Sequence, residues 1–154
     1  MDLLAELKDL LSGLAEEKVD HALCGGLAMA VYAFPRATLD IDLLIQPGDL
    51  PRVRDVAGRL GFSLDAEPMD FKGGAVRIRR LCKISPGSRE VLLLDLILVT
   101  PEIRDVWESR RQVTWEGGTL PVVSPEGLIR LKSLRGSGQD LDDILHLRSL
   151  THEG

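Results

Sequence analysis

Two aspartates separated by a single residue stand in the apolar segment DIDLLI, residues 40–45. On a β-strand, residues two apart point to the same face, and their Cα atoms lie roughly 6.5 to 7 Å apart. Asp40 and Asp42 therefore project together, while the apolar residues between and beyond them face the core. Two carboxylates held this close repel each other, and a divalent cation that prefers oxygen ligands, such as Mg²⁺, relieves the repulsion. The pair indicates a metal site, although Asp-x-Asp is also frequent on solvated surfaces.

A glycine pair, Gly25-Gly26, comes before the aspartates, between a short apolar strand and a short apolar helix. Without side chains, the backbone N–H groups of such a segment can approach a phosphate closely. The N-terminus of the helix that follows adds positive potential. We interpret the pair as a turn that contacts phosphate.

A third carboxylate, Asp95, stands in the middle of the apolar run VLLLDLILV, residues 91–99. An unpaired carboxylate in an apolar sheet costs several kcal/mol, so a positive partner is expected for it. If its strand lies beside the one that carries Asp40 and Asp42, three carboxylates converge and can hold two metal ions about 3.5 to 4 Å apart, as in-line phosphoryl displacement requires. The alternative is a structural ion pair with an arginine.

The elements that must position these residues alternate between helix and strand. Leucines at steps of three and four predict an amphipathic first helix, and Ser124-Pro125-Glu126 has the N-cap, N1 proline and first-turn acid of a later one. The predicted helices cover residues 2–18, 27–34, 47–60, 124–134 and 139–150; the predicted strands cover 21–24, 39–45, 75–84 and 91–99, with a hairpin over 111–123. We expect an α/β (α+β) fold: a mixed sheet of about four to five strands, flanked by helices, with two C-terminal helices.

Length and composition agree with one domain over residues 1–154, with a core at about 19–123 and C-terminal helices at about 124–150. The net charge of −5 disfavours a broad basic face for nucleic acid. The two cysteines are far apart and suggest neither a disulfide framework nor a zinc site. No apolar run reaches the roughly 18 residues of a membrane span, so a cytoplasmic protein is expected.

The pattern Gly25-Gly26, then Asp40-Ile41-Asp42, then Asp95 on a later strand resembles the nucleotidyltransferase superfamily typified by DNA polymerase beta. The segments RATLDIDLLI and SPEGLIRLKSLRGSGQDLDDI are similar to those of small bacterial AbiEii- and MenA-like toxins. The resemblance runs from about residue 19 to 148. It implies the nucleotidyltransferase fold and, for a toxin, a cognate antitoxin as partner.

The resemblance also implies roles for individual residues. Gly25 and Gly26 would contact a triphosphate. The catalytic carboxylates Asp40, Asp42 and Asp95 would bind Mg²⁺ or Mn²⁺, and Asp95 would help to deprotonate the acceptor hydroxyl. Lys132 would steady the β- and γ-phosphates.

Asp140 is the counterpart of the acid in a Lys-Asp or Arg-Asp pair of the toxin-like proteins; here Gln139 precedes it, so a cation is missing. We assign Asp140, Arg36 and Thr38 to nucleotide binding. Asp140 would also suit the first turn of a helix regardless of function, and Arg36 and Thr38 could simply support the turn into the strand.

Two further groups of cations have structural alternatives. Lys132 shares a helix face with Leu128, so its stem could cover the core edge while its ammonium stays in water. For Arg77, Arg79 and Arg80, a solvated strand face is favoured over contact with an acceptor.

These observations together predict a metal-dependent enzyme that transfers a nucleoside monophosphate from an NTP to a hydroxyl of tRNA, protein or a small molecule. The alternative is a module of the same fold that binds nucleotide or a partner without turnover.

Overall fold

A mixed β-sheet of eight strands lies at the centre of the computed structural model, which describes residues 2–32, 40–87, 89–115, 118–135 and 148–149. Three short 3-10 segments, Pro47–Asp49, Lys72–Gly74 and Pro101–Ile103, precede α3, β5 and α4. The other elements, in chain order, are α1 (Leu3–Glu16), β1 (His21–Cys24), α2 (Gly25–Val31), β2 (Asp40–Ile45), α3 (Leu50–Arg59), β3 (Leu64–Asp65), β4 (Met69–Phe71), β5 (Val76–Ile84), β6 (Val91–Leu98), α4 (Arg104–Glu108), β7 (Arg111–Trp115), β8 (Gly118–Val122) and α5 (Pro125–Arg135).

The strand order is β3-β5-β6-β2-β1-β8-β7, and β4 pairs with β5 beside β3. β2 runs parallel to β6, and β1 runs parallel to β8; the other pairs are antiparallel. β6 lies between β5 and β2, with Leu94 and Leu96 fully buried. The apolar run on both faces of this strand is therefore explained by its central position.

Helices α1 and α3 pack against each other, with Leu7, Leu10 and Leu14 of α1 fully buried. A Cβ atom on Gly13 would lie 2.7 Å from Val56 Cγ1, so glycine permits the close approach of the two helices. Lys83 of β5 donates to both carboxylate oxygens of Glu6 at 2.8 and 2.9 Å, which ties α1 to the sheet.

The opposite face of the sheet is in contact with α5. Ser124 caps this helix, as predicted, since its Oγ accepts a hydrogen bond from Gly127 N at 3.0 Å. Leu128 and Leu131 of α5 are buried. The described part of the chain contains no helix that is both long and apolar enough to cross a membrane.

Most predicted elements are confirmed, including α1, the hairpin of β7 and β8, and the strands that carry the aspartates. Two expectations were wrong in detail. The glycine pair is the first turn of α2, not a turn before it. The sheet has eight strands instead of four to five, because both strands of the hairpin belong to it and the short β3 and β4 were missed. Helix α4 was missed as well. The predicted helix over 139–150 lies outside the described residues, except at 148–149, which are helical.

Candidate active site

One row of side chains crosses four strands of the sheet. Cys24 of β1 lies opposite Asp42 of β2, which lies opposite Asp95 of β6, which in turn lies opposite Arg80 of β5. Residues directly opposite each other on paired strands share a face of the sheet. Two carboxylates and a guanidinium are therefore neighbours on one face.

Asp40 belongs to the same face, two residues before Asp42 and opposite Leu93. Asp40 is half-buried, whereas Asp42 and Asp95 are only 7% and 1% exposed. The strand of Asp95 lies directly beside the strand of the aspartate pair, which is the arrangement that the predicted metal site required. The three carboxylates thus share one side of two adjacent parallel strands.

Asp95 forms a bidentate ion pair with Arg80. Arg80 Nε donates to Asp95 Oδ1 at 2.7 Å, and Nη2 donates to Oδ2 at 2.9 Å. The Asp95 side chain is 2% exposed and that of Arg80 28%. The hydrogen bond to Asp95, and then the negative charges of Asp95 and Asp40, raise the pKa of Arg80 above its ordinary value, although burial opposes this. The structural ion pair with an arginine, which the sequence offered as the alternative for Asp95, is therefore present.

The expectation of a solvated face for the strand arginines was wrong for Arg80. Arg79 and Arg80 are consecutive on a strand without a bulge, so their side chains point to opposite faces. Arg79 lies 3.5 Å from Asp70, and Arg77 is exposed. The role of Arg80 could have been inferred from the strand alternation, which places Arg80 on the face opposite to Arg77 and Arg79. The need of Asp95 for a positively charged partner points to the same residue.

Gly25 is in direct contact with Asp42. Its φ of +68° is one that side chains disfavour, and an added Cβ would lie 2.5 Å from Asp42 Cγ and closer still to Oδ2. Glycine is therefore required here because the Asp42 carboxylate lies against the first turn of α2. The proposed contact of Gly25 with a phosphate stays a prediction, as does that of Gly26, which is buried in the same turn.

Lys132 is buried beside this turn. The residue is 6% exposed and lines a cavity of about 20 Å³ together with Gly25, Leu128, Leu131, Val76 and Ile97. This burial does not agree with an ammonium held out in water. The structure thus places a cationic side chain from α5 next to the glycine that touches Asp42.

The remaining predicted residues, Arg36, Thr38 and Asp140, lie outside the described residues. Their assignment to nucleotide binding stays a prediction.

The side chains at the site fit a divalent cation in part. Asp40 and Asp42 offer the hard oxygen donors that Mg²⁺ and Mn²⁺ prefer. Both oxygens of Asp95, however, accept N–H groups of Arg80. Among the described residues, no group of three or more His, Cys, Asp or Glu is arranged to hold a metal ion. The pair on β2 is therefore the part of the site that suits a cation in this conformation.

No protein-family profile matches the sequence, and a search of curated proteins finds no match to it. Solved structures do match. The solution structure of the antibiotic-resistance factor ANT(2'')-Ia has a TM-score of 0.68 and 14% identity, over 96% of this chain and 83% of that one. The lincosamide antibiotic adenylyltransferase LnuA, bound to lincomycin, has a TM-score of 0.62 and 18% identity. The match covers 94% of this chain and 96% of LnuA. TM1012 from Thermotoga maritima, a putative nucleotidyltransferase, has a TM-score of 0.61 and 19% identity. The match covers 98% of this chain and 93% of TM1012.

These similarities span nearly the whole chain and show that it has the nucleotidyltransferase fold. The fold predicted from the glycine pair and the three acids is confirmed. The toxin-like subgroup stays a prediction.

Proposed function

We propose that this chain is a metal-dependent nucleotidyltransferase, which moves a nucleoside monophosphate from an NTP to a hydroxyl group. The observation that carries the proposal is the register of Asp42 with Asp95 on adjacent parallel strands, with Asp40 on the same face, inside a nucleotidyltransferase fold. Carboxylates assembled on one face of a buried sheet repel one another, so the arrangement favours positive charge at that face. A divalent cation that binds these carboxylates and neutralises phosphate charge would supply that positive charge.

In this proposal, Asp40 and Asp42 hold Mg²⁺ or Mn²⁺. Such a cation would supply charge neutralisation at the triphosphate and a lower pKa for the acceptor hydroxyl. The backbone N–H groups at Gly25 and Gly26 face the phosphates, and Lys132 contributes a positive charge beside them. Arg36, Thr38 and Asp140 make further contacts with the nucleotide.

The reaction exchanges a phosphoanhydride bond of the NTP for a phosphoester bond to the acceptor. The acceptor oxygen forms a bond to the α-phosphorus, the bond from that phosphorus to the β-phosphate oxygen breaks, and pyrophosphate leaves. The hydroxyl proton passes to a carboxylate, for which Asp95 is the candidate. Asp95 accepts this proton only if it is not fully engaged by Arg80.

For the acceptor, we propose a small hydroxylated molecule. LnuA was solved with lincomycin and ANT(2'')-Ia with adenylyl-2''-tobramycin, and this chain spans most of the length of both. The net charge of −5 also disfavours a broad RNA-binding face. A tRNA or protein acceptor, with a cognate antitoxin, belongs to the toxin-like alternative.

The test is transfer of label from each of the four α-³²P-NTPs in the presence of Mg²⁺ or Mn²⁺. Separate reactions contain aminoglycosides and lincosamides, total tRNA, or a cell extract that supplies protein acceptors. We expect a labelled product with at least one acceptor, and its loss in Asp42→Asn. Asp55→Asn, which neutralises an acid whose side chain is 73% exposed on α3, is the matched control and should retain transfer. If no reaction yields a labelled product, the proposed nucleotidyltransferase activity is contradicted.

One observation favours a second candidate, a nucleotide-binding module without turnover. The bidentate contact of Arg80 occupies the third acid in the described conformation. Such a module would bind an NTP with Mg²⁺ in calorimetry but release no pyrophosphate. Pyrophosphate release in the labelled reactions would exclude it.

A further inference from the structure

The Arg80–Asp95 ion pair stands in the row of acids where the proposed function needs a divalent cation. We propose that Arg80 and the divalent cation compete for Asp95, so that Arg80 holds this carboxylate in the metal-free protein and gives it up when the cation binds. Arg80 is then a positioning residue that acts through Asp95. This inference rests on the proposed function, because it concerns the same metal site.

The geometry of the Arg80–Asp95 pair favours competition with a cation. The two N–H···O contacts, at 2.7 and 2.9 Å, engage both oxygens of Asp95 side by side. This fork arrangement covers the edge of the carboxylate from which a ligand could reach both oxygens. A cation that approached from that edge would meet the guanidinium. Arg80 and the cation therefore exclude each other there.

The charges around Asp95 also favour this competition. Asp95 is 1% exposed and lies in register with Asp42, with Asp40 on the same face. Without a cation, three carboxylates would repel one another in a largely buried row. The guanidinium supplies a positive charge directly at Asp95 in the metal-free protein. Once a divalent cation is bound, it supplies that charge itself and repels the guanidinium.

The Arg80 side chain has access to solvent when it leaves Asp95. Its side chain is 28% exposed, in contrast to the 2% of Asp95. A long side chain with access to solvent can leave the acid without unfolding the strand that carries it. An incoming triphosphate would offer phosphate oxygens, which suit a guanidinium as well as a carboxylate does.

The experiment measures binding of Mn²⁺ alone, by electron paramagnetic resonance of the free ion. It compares the wild type with Arg80→Gln, Asp95→Asn and the double variant. We expect Arg80→Gln to bind Mn²⁺ at least about five-fold more tightly than the wild type, the lower end of usual coupling between two ligands. The gain should disappear in the double variant, because it depends on the released Asp95 carboxylate.

Arg79→Gln is the matched control. It removes the same charge one position away, but its side chain lies on the opposite face, 3.5 Å from Asp70. Its Mn²⁺ affinity should equal that of the wild type. An equal gain in Arg79→Gln would mean that net charge, not competition for Asp95, sets the affinity, and would overturn the proposal.

A thermal melt separates competition from a purely structural ion pair. Arg80→Gln should melt at a lower temperature than the wild type in chelator, and Mn²⁺ should restore more of that loss than it adds to the wild type. If Arg80→Gln does not fold, Arg80→Lys keeps the charge but loses the fork, and its Mn²⁺ affinity should still exceed that of the wild type. Unchanged or weaker Mn²⁺ binding in the folded variant would overturn the proposal.

Failure of the proposed function is a separate outcome. Wild-type protein that transfers label while Arg80→Gln binds Mn²⁺ no better would leave the enzyme intact and refute the competition. Tighter Mn²⁺ binding by Arg80→Gln without any transfer by the wild type would support the competition in a protein that is not an enzyme.

Discussion

The Asp42 carboxylate lies against the Cα atom of Gly25, where β1 passes into α2. Only a residue without a side chain leaves room for this contact, and the φ of +68° at Gly25 favours glycine independently. The contact places one of the predicted metal ligands at the first turn of a helix. The glycine pair and the aspartate pair are thus two parts of one local arrangement.

We expect Gly25→Ala to lower the free energy of unfolding by about 1 to 3 kcal/mol, the usual cost of a strained backbone conformation. The added methyl group would also displace the Asp42 carboxylate, so binding of NTP with Mg²⁺ should weaken. The unfolding midpoint in urea and calorimetry with the nucleotide measure the two effects.

Gly58→Ala is the control for Gly25→Ala. Gly58 lies inside α3, and a Cβ there would meet no atom within 4 Å. Alanine at a helical position is favoured over glycine by roughly 0.5 to 1 kcal/mol, so this variant should be slightly more stable. Equal shifts of the urea midpoint in both variants would show that contact with Asp42 does not matter.

The two partners of the buried ion pair should not be equivalent in the metal-free protein. Arg80→Gln leaves a carboxylate that is 2% exposed without its cation, and breaking a buried pair in this way costs about 3 to 5 kcal/mol. Asp95→Asn leaves a guanidinium that is 28% exposed and can be hydrated, so its cost should be less than half as large. Urea unfolding in the presence of a chelator checks this order, and a larger loss in Asp95→Asn would contradict it.

The sequence was informative where a local pattern determines the geometry. The spacing of Asp40 and Asp42 determines that they share a face, and the apolar run around Asp95 indicates a central strand that needs a cation. Which positively charged side chain meets Asp95 depends on the register between β5 and β6, and no local pattern specifies that register. The sequence therefore predicted a partner for Asp95 but not Arg80.

Other features were missed for the same kind of reason. β3 and β4 have two and three residues, with no buried position, so neither shows a readable alternation. The burial of Lys132 depends on how α5 packs against the sheet, which the spacing of Lys132 and Leu128 on the helix does not reveal. The glycine pair predicted a close approach, and for Gly25 the structure shows that Asp42 approaches it.

We expect Lys132→Met to weaken NTP binding at least ten-fold while Mn²⁺ binding alone changes little. Methionine keeps an unbranched apolar stem in the small cavity beside Gly25 but removes the positive charge proposed to face the phosphates. Arg130→Met is the control, because it removes a cation from the same helix whose guanidinium pairs with Asp105. Calorimetry with an NTP and with Mn²⁺ provides the measurements. Equal NTP affinity in the two variants would return Lys132 to a purely structural role.

His21 should make the stability of the protein fall as the solution is acidified. Its side chain is buried, which lowers its pKa below 6.5, with the charge of Arg110 acting in the same direction and Val19 and Asp20 opposing. Nδ1 lies 3.0 Å from the Val19 carbonyl oxygen, so the neutral ring donates from Nδ1. The folded protein therefore prefers neutral His21.

Between the lowered pKa and 6.5, the unfolded chain binds more protons than the folded one, so stability decreases as pH falls through this window, by at most about 1.4 kcal/mol per pH unit for one group. His21→Asn keeps a donor for Val19 O but cannot titrate. We expect the wild type to lose more unfolding free energy than His21→Asn when urea midpoints are compared at about pH 7.5 and about pH 5.5. Acids that titrate elsewhere affect both proteins alike, so the difference between the two slopes isolates His21. Parallel slopes would mean that His21 takes up a proton in the folded protein as readily as in the unfolded chain.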